Sequence, residues 1–220
     1  MNPRLDFFIK LATRIAAIEG RPIVAIDGVD GSGKTTFADE LAPVLAQKGR
    51  PVVRASVDGF HNTKTIRYRR GRNDPEGFFL DSYNYESLRR FLVDPFRAGA
   101  DVVNTACYDH AADREISKPK AVEPSTVLLI DGIFLHRDEL RNLWDFSVFL
   151  SVPFSVSYTR MAVRDGSNPD PMAEENRRYY EGQKIYLRKC QPEARASVIV
   201  DNSLDERPKF VQAPTEHMVR

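Results

Sequence analysis

The chain has 220 residues, 42% of them hydrophobic and 29% charged, with a formal net charge of +1. That length supports one sizeable α/β domain, and the near-neutral balance gives no electrostatic reason to expect nucleic acid or an anionic membrane as partner. No apolar run reaches the roughly 18 residues of a membrane span, and Cys107 and Cys190 form neither a disulfide framework nor a metal-binding spacing, so a reduced, cytoplasmic setting is expected.

In the first twenty residues, Leu5, Phe8, Ile9, Ala12, Ile15 and Ala16 recur at helical spacing, which predicts an amphipathic helix packed on the domain. Asp6 and the broken hydrophobicity around it make a poor signal peptide. Pro22 to Ile26 is an apolar run closed by Asp27-Gly28, as a buried parallel strand would be. A glycine-rich loop follows, then a helix from about Lys34 with Phe37, Leu41, Val44 and Leu45 on one face and a bend expected at Pro43.

A second strand is predicted from Val52 to Val57, ending at Asp58. Residues 60–82 are polar, basic and aromatic and read as a long loop or insertion. Tyr85 to Val93 reads as a helix, and Val102 to Ala106 is expected to pair with a segment ending near Val122 as a hairpin. Thr126 to Ile130, closed by Asp131-Gly132, is the clearest strand, and another runs from Phe146 to Leu150. Helices are predicted at Val156 to Arg164 and Met172 to Leu187, and a last strand at Ser197 to Val200. Strands alternating with helices imply an α/β fold with a mainly parallel sheet between helical layers.

Gly28-Val-Asp-Gly-Ser-Gly33-Lys34-Thr35 fits G-x-x-x-x-G-K-[ST] in full, between a buried strand and a helix start. Glycines let backbone N–H groups turn inward around phosphate oxygens, and the helix N-terminus adds partial positive charge. The expected nucleotide-binding set is Gly28, Asp30, Gly31, Ser32, Gly33, Lys34, Thr35 and Thr36. Lys34 supplies a point charge between the β- and γ-phosphates, and Thr35 offers a hydroxyl to Mg²⁺. Asp131, an acid ending an apolar strand, is the matching metal residue. Asp58, closing the strand after the phosphate-loop helix, should reach the same sheet edge. A carboxylate there can accept a proton from an attacking hydroxyl or help fix the metal, or it can simply make a turn.

With these residues in place, the chain resembles the uridine kinase and phosphoribulokinase group of P-loop kinases. Asp58-Gly-Phe60-His61, Pro75-Glu-Gly-Phe78, Tyr85-Glu-Ser-Leu88, Pro95-Phe-Arg-Ala-Gly99 and Val127 to Ile133 carry the likeness. Arg160 to Asp165 and Val198 to Asn202 continue it, so that it runs from about Arg21 to Asn202. It implies a single P-loop kinase domain over residues 1–220. Residues 1–20 would be its N-terminal helix, 60–125 an acceptor-binding region with a small hairpin and loop insertion, and 160–180 a short lid.

The resemblance further implies ATP and Mg²⁺ as cofactors and a small hydroxylated acceptor, with the 5′-hydroxyl of uridine or cytidine leading. Pantothenate, a sugar or a sugar phosphate is the alternative. Asp58 falls on the family's catalytic base, and Asp131 on a metal position usually held by Glu. Tyr108 falls on an aromatic near the nucleobase. Asn73, Asp74 and Glu76 fall in the stretch that reaches the ribose hydroxyls. Arg164, with Arg160 one turn earlier, matches lid arginines that neutralise the transferring phosphoryl group. His61, beside the base, is a substrate-contact candidate.

Two departures stand out. The histidine expected after the aromatic is replaced near Asp113, with His110 too early, and the lid after Arg164 lacks a further arginine, for which Arg177 or Arg178 could substitute.

The run from Lys64 to Arg72 holds five basic residues around Tyr68 and reads chiefly as a solvated loop. Phe78, Phe79, Tyr83 and Tyr85 read as core before pocket. His136 and His217 have no partner visible in the sequence, and Asp201-Asn202 reads equally as a turn or as a border of the adenine site. A GTPase would need an Asn-Lys-x-Asp motif, which is absent, and a nucleic-acid-stimulated ATPase would need a basic surface. The expected partner is therefore a small molecule, not nucleic acid or membrane, and a homo-oligomer is compatible with the composition.

Overall fold

The computed structural model describes residues 2–211, so His217 lies outside the described residues. The two central strands of the sheet are buried on both faces because they are apolar up to the acids near their carboxyl ends. Ile23, Ala25, Leu128 and Ile130 face one side, while Val24, Ile26, Val127 and Leu129 face the other, all essentially without exposure. These residues belong to β1 (Ile23–Gly28) and to the long strand Val127–Gly132. Between them come β2 (Val52–Ser56) and four short strands, β3 (Val102–Asn104), β4 (Tyr108–Asp109), β5 (Arg114–Glu115) and β6 (Pro119–Ala121). Val127–Gly132 is thus β7, followed by β8 (Phe146–Ser151), β9 (Val198–Asp201) and β10 (Lys209–Phe210).

The main sheet has the order β10-β9-β8-β1-β7-β2, parallel from β9 to β2 with β10 antiparallel at the edge. Register sets the site: Asp27 pairs with Gly132 and Ser56 with Asp131, so the carboxyl ends of β1, β7 and β2 line up at one edge.

One face is covered by α1 (Pro3–Ala16) and α2 (Lys34–Gln47). Asn2 caps α1 and Pro3 takes its first turn, where the missing N–H costs nothing. Phe7, Phe8, Leu11, Ala12 and Ile15 are its buried stripe, whereas Leu5 and Ile9, expected on that stripe, are 48% and 41% exposed. Phe8 meets Phe37 of α2 at 4.9 Å between ring centroids, and each such buried side chain contributes roughly 1.5–3 kcal/mol. Helix α2 runs through Pro43 to Gln47.

Residues 60–82 are more ordered than a loop. They hold α3 (Lys64–Arg67) and α4 (Pro75–Asp81), the latter capped by Asp74, which accepts the Gly77 N–H, with Pro75 in its first turn. The following helix starts as α5 (Tyr85–Leu88), widens to a π-turn at Arg89–Val93 and ends as α6 (Asp94–Arg97). The expected hairpin is split in two: β3 pairs with β6 and β4 with β5. Helix α7 (Phe154–Asp165) stops at Gly166 in the left-handed conformation.

Helix α8 (Arg177–Cys190) starts five residues later than its periodicity suggests. Asp170 accepts the Met172 N–H, and Asn176 Nδ2 donates to the Asn168 and Asp170 carbonyls, which closes residues 168–176 into a compact turn instead. A last turn, α9 (Pro192–Arg195), leads into β9. Helices α4, α5 and α8 supply the second hydrophobic layer with Phe78, Phe79, Leu88 and Tyr186. The result is the three-layer α/β/α arrangement expected from the sequence.

Candidate active site

The glycine-rich loop between β1 and α2 is the floor of a cavity of about 220 Å³ at the carboxyl edge of the sheet. Asp30, Gly31, Gly33, Lys34, Thr35 and Thr36 line it, joined by Asp58, Tyr83, Asp131 and Arg164. Gly31 has φ 70°, and a Cβ there would run into the Ser157 carbonyl, so only glycine lets the loop pass α7. Gly28 and Ser32 hold the loop from behind and do not line the cavity; Ser32 is fully buried, and its carbonyl accepts the Asn202 side-chain amide at 2.8 Å.

Lys34 Nζ donates to the Val29 carbonyl at 2.7 Å, which folds the cation back over the loop. Thr35 Oγ1 donates to Asp131 Oδ2 at 2.8 Å, and Arg54 Nη2 donates to Asp131 Oδ1 at 2.8 Å. With its proton spent on the carboxylate, the Thr35 hydroxyl keeps lone pairs for a hard cation. No group of three or more His, Cys, Asp or Glu among the described residues forms a metal cage. A hydroxyl beside one carboxylate fits Mg²⁺, which is usually held by one or two protein oxygens plus phosphate and water. Arg54 had no signal in the sequence: its place opposite Asp131 comes from the β2–β7 register, which pairs Arg54 with Leu129.

Asp58 sits in a 3₁₀ turn, Val57–Phe60, that carries it over the end of β2, with Ser56 Oγ accepting its N–H. Tyr83 OH donates to Asp58 Oδ1 at 2.9 Å, and Asp58 lines the cavity with no donor on Oδ2 among the described residues. Burial and the neighbouring Asp58 charge push the Tyr83 phenol well above its ordinary range, so it stays a donor. Burial also raises the Asp30 carboxyl, against the opposing pull of Lys34. His61 Nδ1 bonds the Asp58 carbonyl at 2.9 Å, and burial lowers its pKa, which keeps the ring neutral. The ring leans on Tyr83 at 4.6 Å and stacks on His110 at 4.5 Å.

His61 also borders a second cavity, of about 290 Å³, lined by Asn62, Ser87, Phe91, Asn104, Tyr108 and Glu115 among others. Tyr108 OH donates to Asp113 at 2.7 Å, and burial together with that bond lifts the phenol to about 12. The Asp113 carboxylate further accepts the Lys64 N–H at 2.9 Å and lies 3.5 Å from Arg67.

The remaining candidates lie apart. Asn73 and Asp74 border a separate cleft with Glu174 and Arg177, and Glu76 faces Lys189 at 3.6 Å and Arg70 at 3.8 Å. Arg160 is tied to the Asn202 and Ser203 carbonyls and to Asp205, whereas Arg164 reaches the cavity and pairs with the adjacent Asp165 at 2.7 Å. The basic run is not a solvated loop as a whole. Arg67 is buried, and Arg69 and Arg70 both bind the buried carboxylate of Asp81.

His136, without a visible partner in the sequence, is enclosed in a network behind the loop. Its Nδ1 meets Asp27 Oδ2 at 2.6 Å, and its Nε2 meets Ser147 Oγ at 3.0 Å. Tyr186 OH also donates to Asp27 Oδ2.

The model of the Phosphoribulokinase / Uridine kinase family matches residues 23–169. The chain belongs to that family. A uridine kinase of Leuconostoc citreum is 26% identical over 149 residues, 65% of this kinase and 68% of the relative. Among solved structures, a "Possible Uridine Kinase from Bacillus stearothermophilus" aligns with TM-score 0.70 and 27% identity, over 89% of this kinase and 98% of that chain. A "putative fructose transport system kinase" from Silicibacter sp. TM1040 aligns with TM-score 0.67 and 26% identity, over 82% and 94% respectively. Among the described residues of this kinase, no helix is long and apolar enough to cross a membrane.

Proposed function

We propose that this kinase transfers the γ-phosphoryl group of Mg·ATP to the 5′-hydroxyl of uridine or cytidine. The observation that carries the reading is the meeting of Asp58, Tyr83, Lys34, Thr35, Asp131 and Arg164 around one cavity at the sheet edge. Asp58 Oδ2 accepts the proton of the acceptor hydroxyl, while the bond from Tyr83 holds the other oxygen still. Lys34 and the loop amides bind phosphate oxygens, and Arg164 neutralises charge on the group in flight. Thr35 and Asp131 would hold Mg²⁺, which would offset negative charge on the nucleotide's phosphates. Little covalent chemistry is asked of the protein; positioning and electrostatics supply the rate.

Residues 60–125 form the acceptor side, with His61 and Tyr108 on the cavity of about 290 Å³, and residues 160–180 form the lid that excludes water. The free thiols of Cys107 and Cys190 are in keeping with a reduced compartment. A sugar acceptor is favoured by a different observation. Asp113 stands near the expected base-recognition position, and its carboxylate is already engaged by Lys64 and Tyr108, which leaves it little capacity for a pyrimidine.

ADP release from Mg·ATP against uridine, cytidine, pantothenate, fructose, ribose and ribulose 5-phosphate tests both. Release with uridine or cytidine alone is the expected result. Release with fructose or ribose alone overturns the nucleoside assignment and keeps the kinase, and release with none of them overturns both acceptor readings.

A further inference from the structure

Helix α8 carries an unusual set of buried residues on one face. Arg178, Gly182, Gln183 and Tyr186 fall at i, i+4, i+5 and i+8, and none of them is exposed. Gln183 is only 1% exposed. A primary amide in such a place is costly unless both its ends are bonded, and here both are. Its Nε2 donates to the Tyr179 carbonyl at 3.1 Å, which turns Oε1 to accept the Asp30 N–H of the phosphate loop at 2.6 Å.

One turn further along, Tyr186 OH donates to Asp27, the residue that leads into the loop. Asp27 Oδ1 accepts the Gly28 N–H at 2.7 Å, so the carboxylate holds the loop's first amide as well. The Asp27 carboxylate also fixes the His136 tautomer with Nδ1 protonated. Ser147 Oγ, which accepts the Ser197 N–H at 3.1 Å, then turns its own proton to Nε2.

The other end of the same face grips the acceptor side. Arg178 donates to the carbonyls of Arg67, Gly71 and Arg72 and lies over the Tyr68 ring at 4.8 Å. Gly182 is pressed against α4: a Cβ there would come within 2.7 Å of Phe78 Cδ1 and 2.9 Å of the Pro75 carbonyl oxygen. The helix from Arg178 to Tyr186, a rise of roughly 12 Å, therefore joins α3 and α4 to two points of the phosphate loop.

We infer that α8 is a brace that sets the phosphate loop against the acceptor side, with Gln183 as the positioning residue that pins the loop at Asp30. The functional part rests on the reading of residues 60–125 as the acceptor side. The consequence is reciprocal: a loop held ready binds phosphate without first being ordered, and a displacement of α4 reaches the loop through α8.

The test uses the full chain, with hydrogen exchange of the segment 28–33 in the nucleotide-free protein and titration with Mg·ATP. Gln183→Met keeps the volume and loses the acceptor. It should leave the thermal midpoint nearly unchanged, speed exchange of 28–33 by about tenfold and weaken Mg·ATP binding by about the same factor. Gly182→Ala, whose new methyl meets α4 at its nearest contacts, should speed exchange of 28–33 as well. Should Gln183→Met lower the midpoint, Tyr186→Phe gives the same reading through Asp27.

Wild-type exchange of 28–33 in Gln183→Met overturns the brace. A Gly182→Ala effect confined to α4 and α8 overturns the link to the acceptor side. If the wild-type protein binds no Mg·ATP, the nucleotide reading fails while the exchange data still decide the brace.

Discussion

The cavity at the phosphate loop and the proposed acceptor cavity are made from different materials. On the phosphate side, the turn of backbone between β1 and α2 with the start of α2 supplies half of the lining, and Lys34 and Arg164 are the cations that line it. The acceptor side is assembled from side chains of separate stretches: His61 to Ile66, Asn84 to Phe91 and Asn104 to Ser117. Backbone amides bind any phosphate, so the first side is generic. In the proposed function the second sets which hydroxyl arrives, because its donors and acceptors are side chains whose placement depends on α3, α5 and the short strands. The same contrast shows in what holds each part still. The loop is fixed by glycine geometry and by α8, while Tyr108 is fixed by Asp113, itself held by Lys64 and Arg67.

The sharpest way to break this division is at Asp58, where the sides meet. Asp58→Asn should lower kcat at least about 100-fold while Mg·ATP binding persists; near-normal turnover would remove Asp58 from the chemistry. Arg164→Ala should reduce kcat by about tenfold or more through lost charge neutralisation. Arg160→Ala should instead act on stability, since Arg160 is spent on Asn202, Ser203 and Asp205. Equal kinetic losses in the two variants would contradict that separation.

Tyr83→Phe removes one bond to Asp58 and should cost about fivefold in kcat, readable in steady-state assays. Asp113→Asn should raise the acceptor KM by a few-fold, with the ATP KM unchanged, because it loosens Tyr108 together with Lys64 and Arg67 and makes no bond to the phosphate loop. A matching rise in the ATP KM would mean that the two sides are not separable there.

The smallest expected effect concerns Asp30. Burial raises its folded-state pKa, so its charge opposes folding once pH rises through that value. The stability linked to its neutral form is complete below the unfolded pKa of about 3.9 and is lost above the folded one. Asp30→Asn should therefore raise Tm slightly at neutral pH, with the gain fading as pH falls toward 4; a gain that grows on acidification would reverse the sign.

The residues 28–36, the strands leading to Asp58 and Asp131 and the burial of both sheet faces were legible in the sequence, because each rests on local spacing: a glycine motif, apolar runs, an acid at or just past a strand end. Asp74-Pro75 was an equally local helix start, a cap followed by proline in the first turn, hidden by the basic residues around it. What only the tertiary structure decided is who meets whom across the sheet and between its layers. Arg54 reaches Asp131 through strand register, Tyr83 reaches Asp58 from a separate segment, and His136 finds Asp27 across 109 positions of chain. Gln183 finds the Asp30 amide across 153. Periodicity carries the face on which a residue lies, but the partner on the opposing element is set by packing, and no local pattern encodes it.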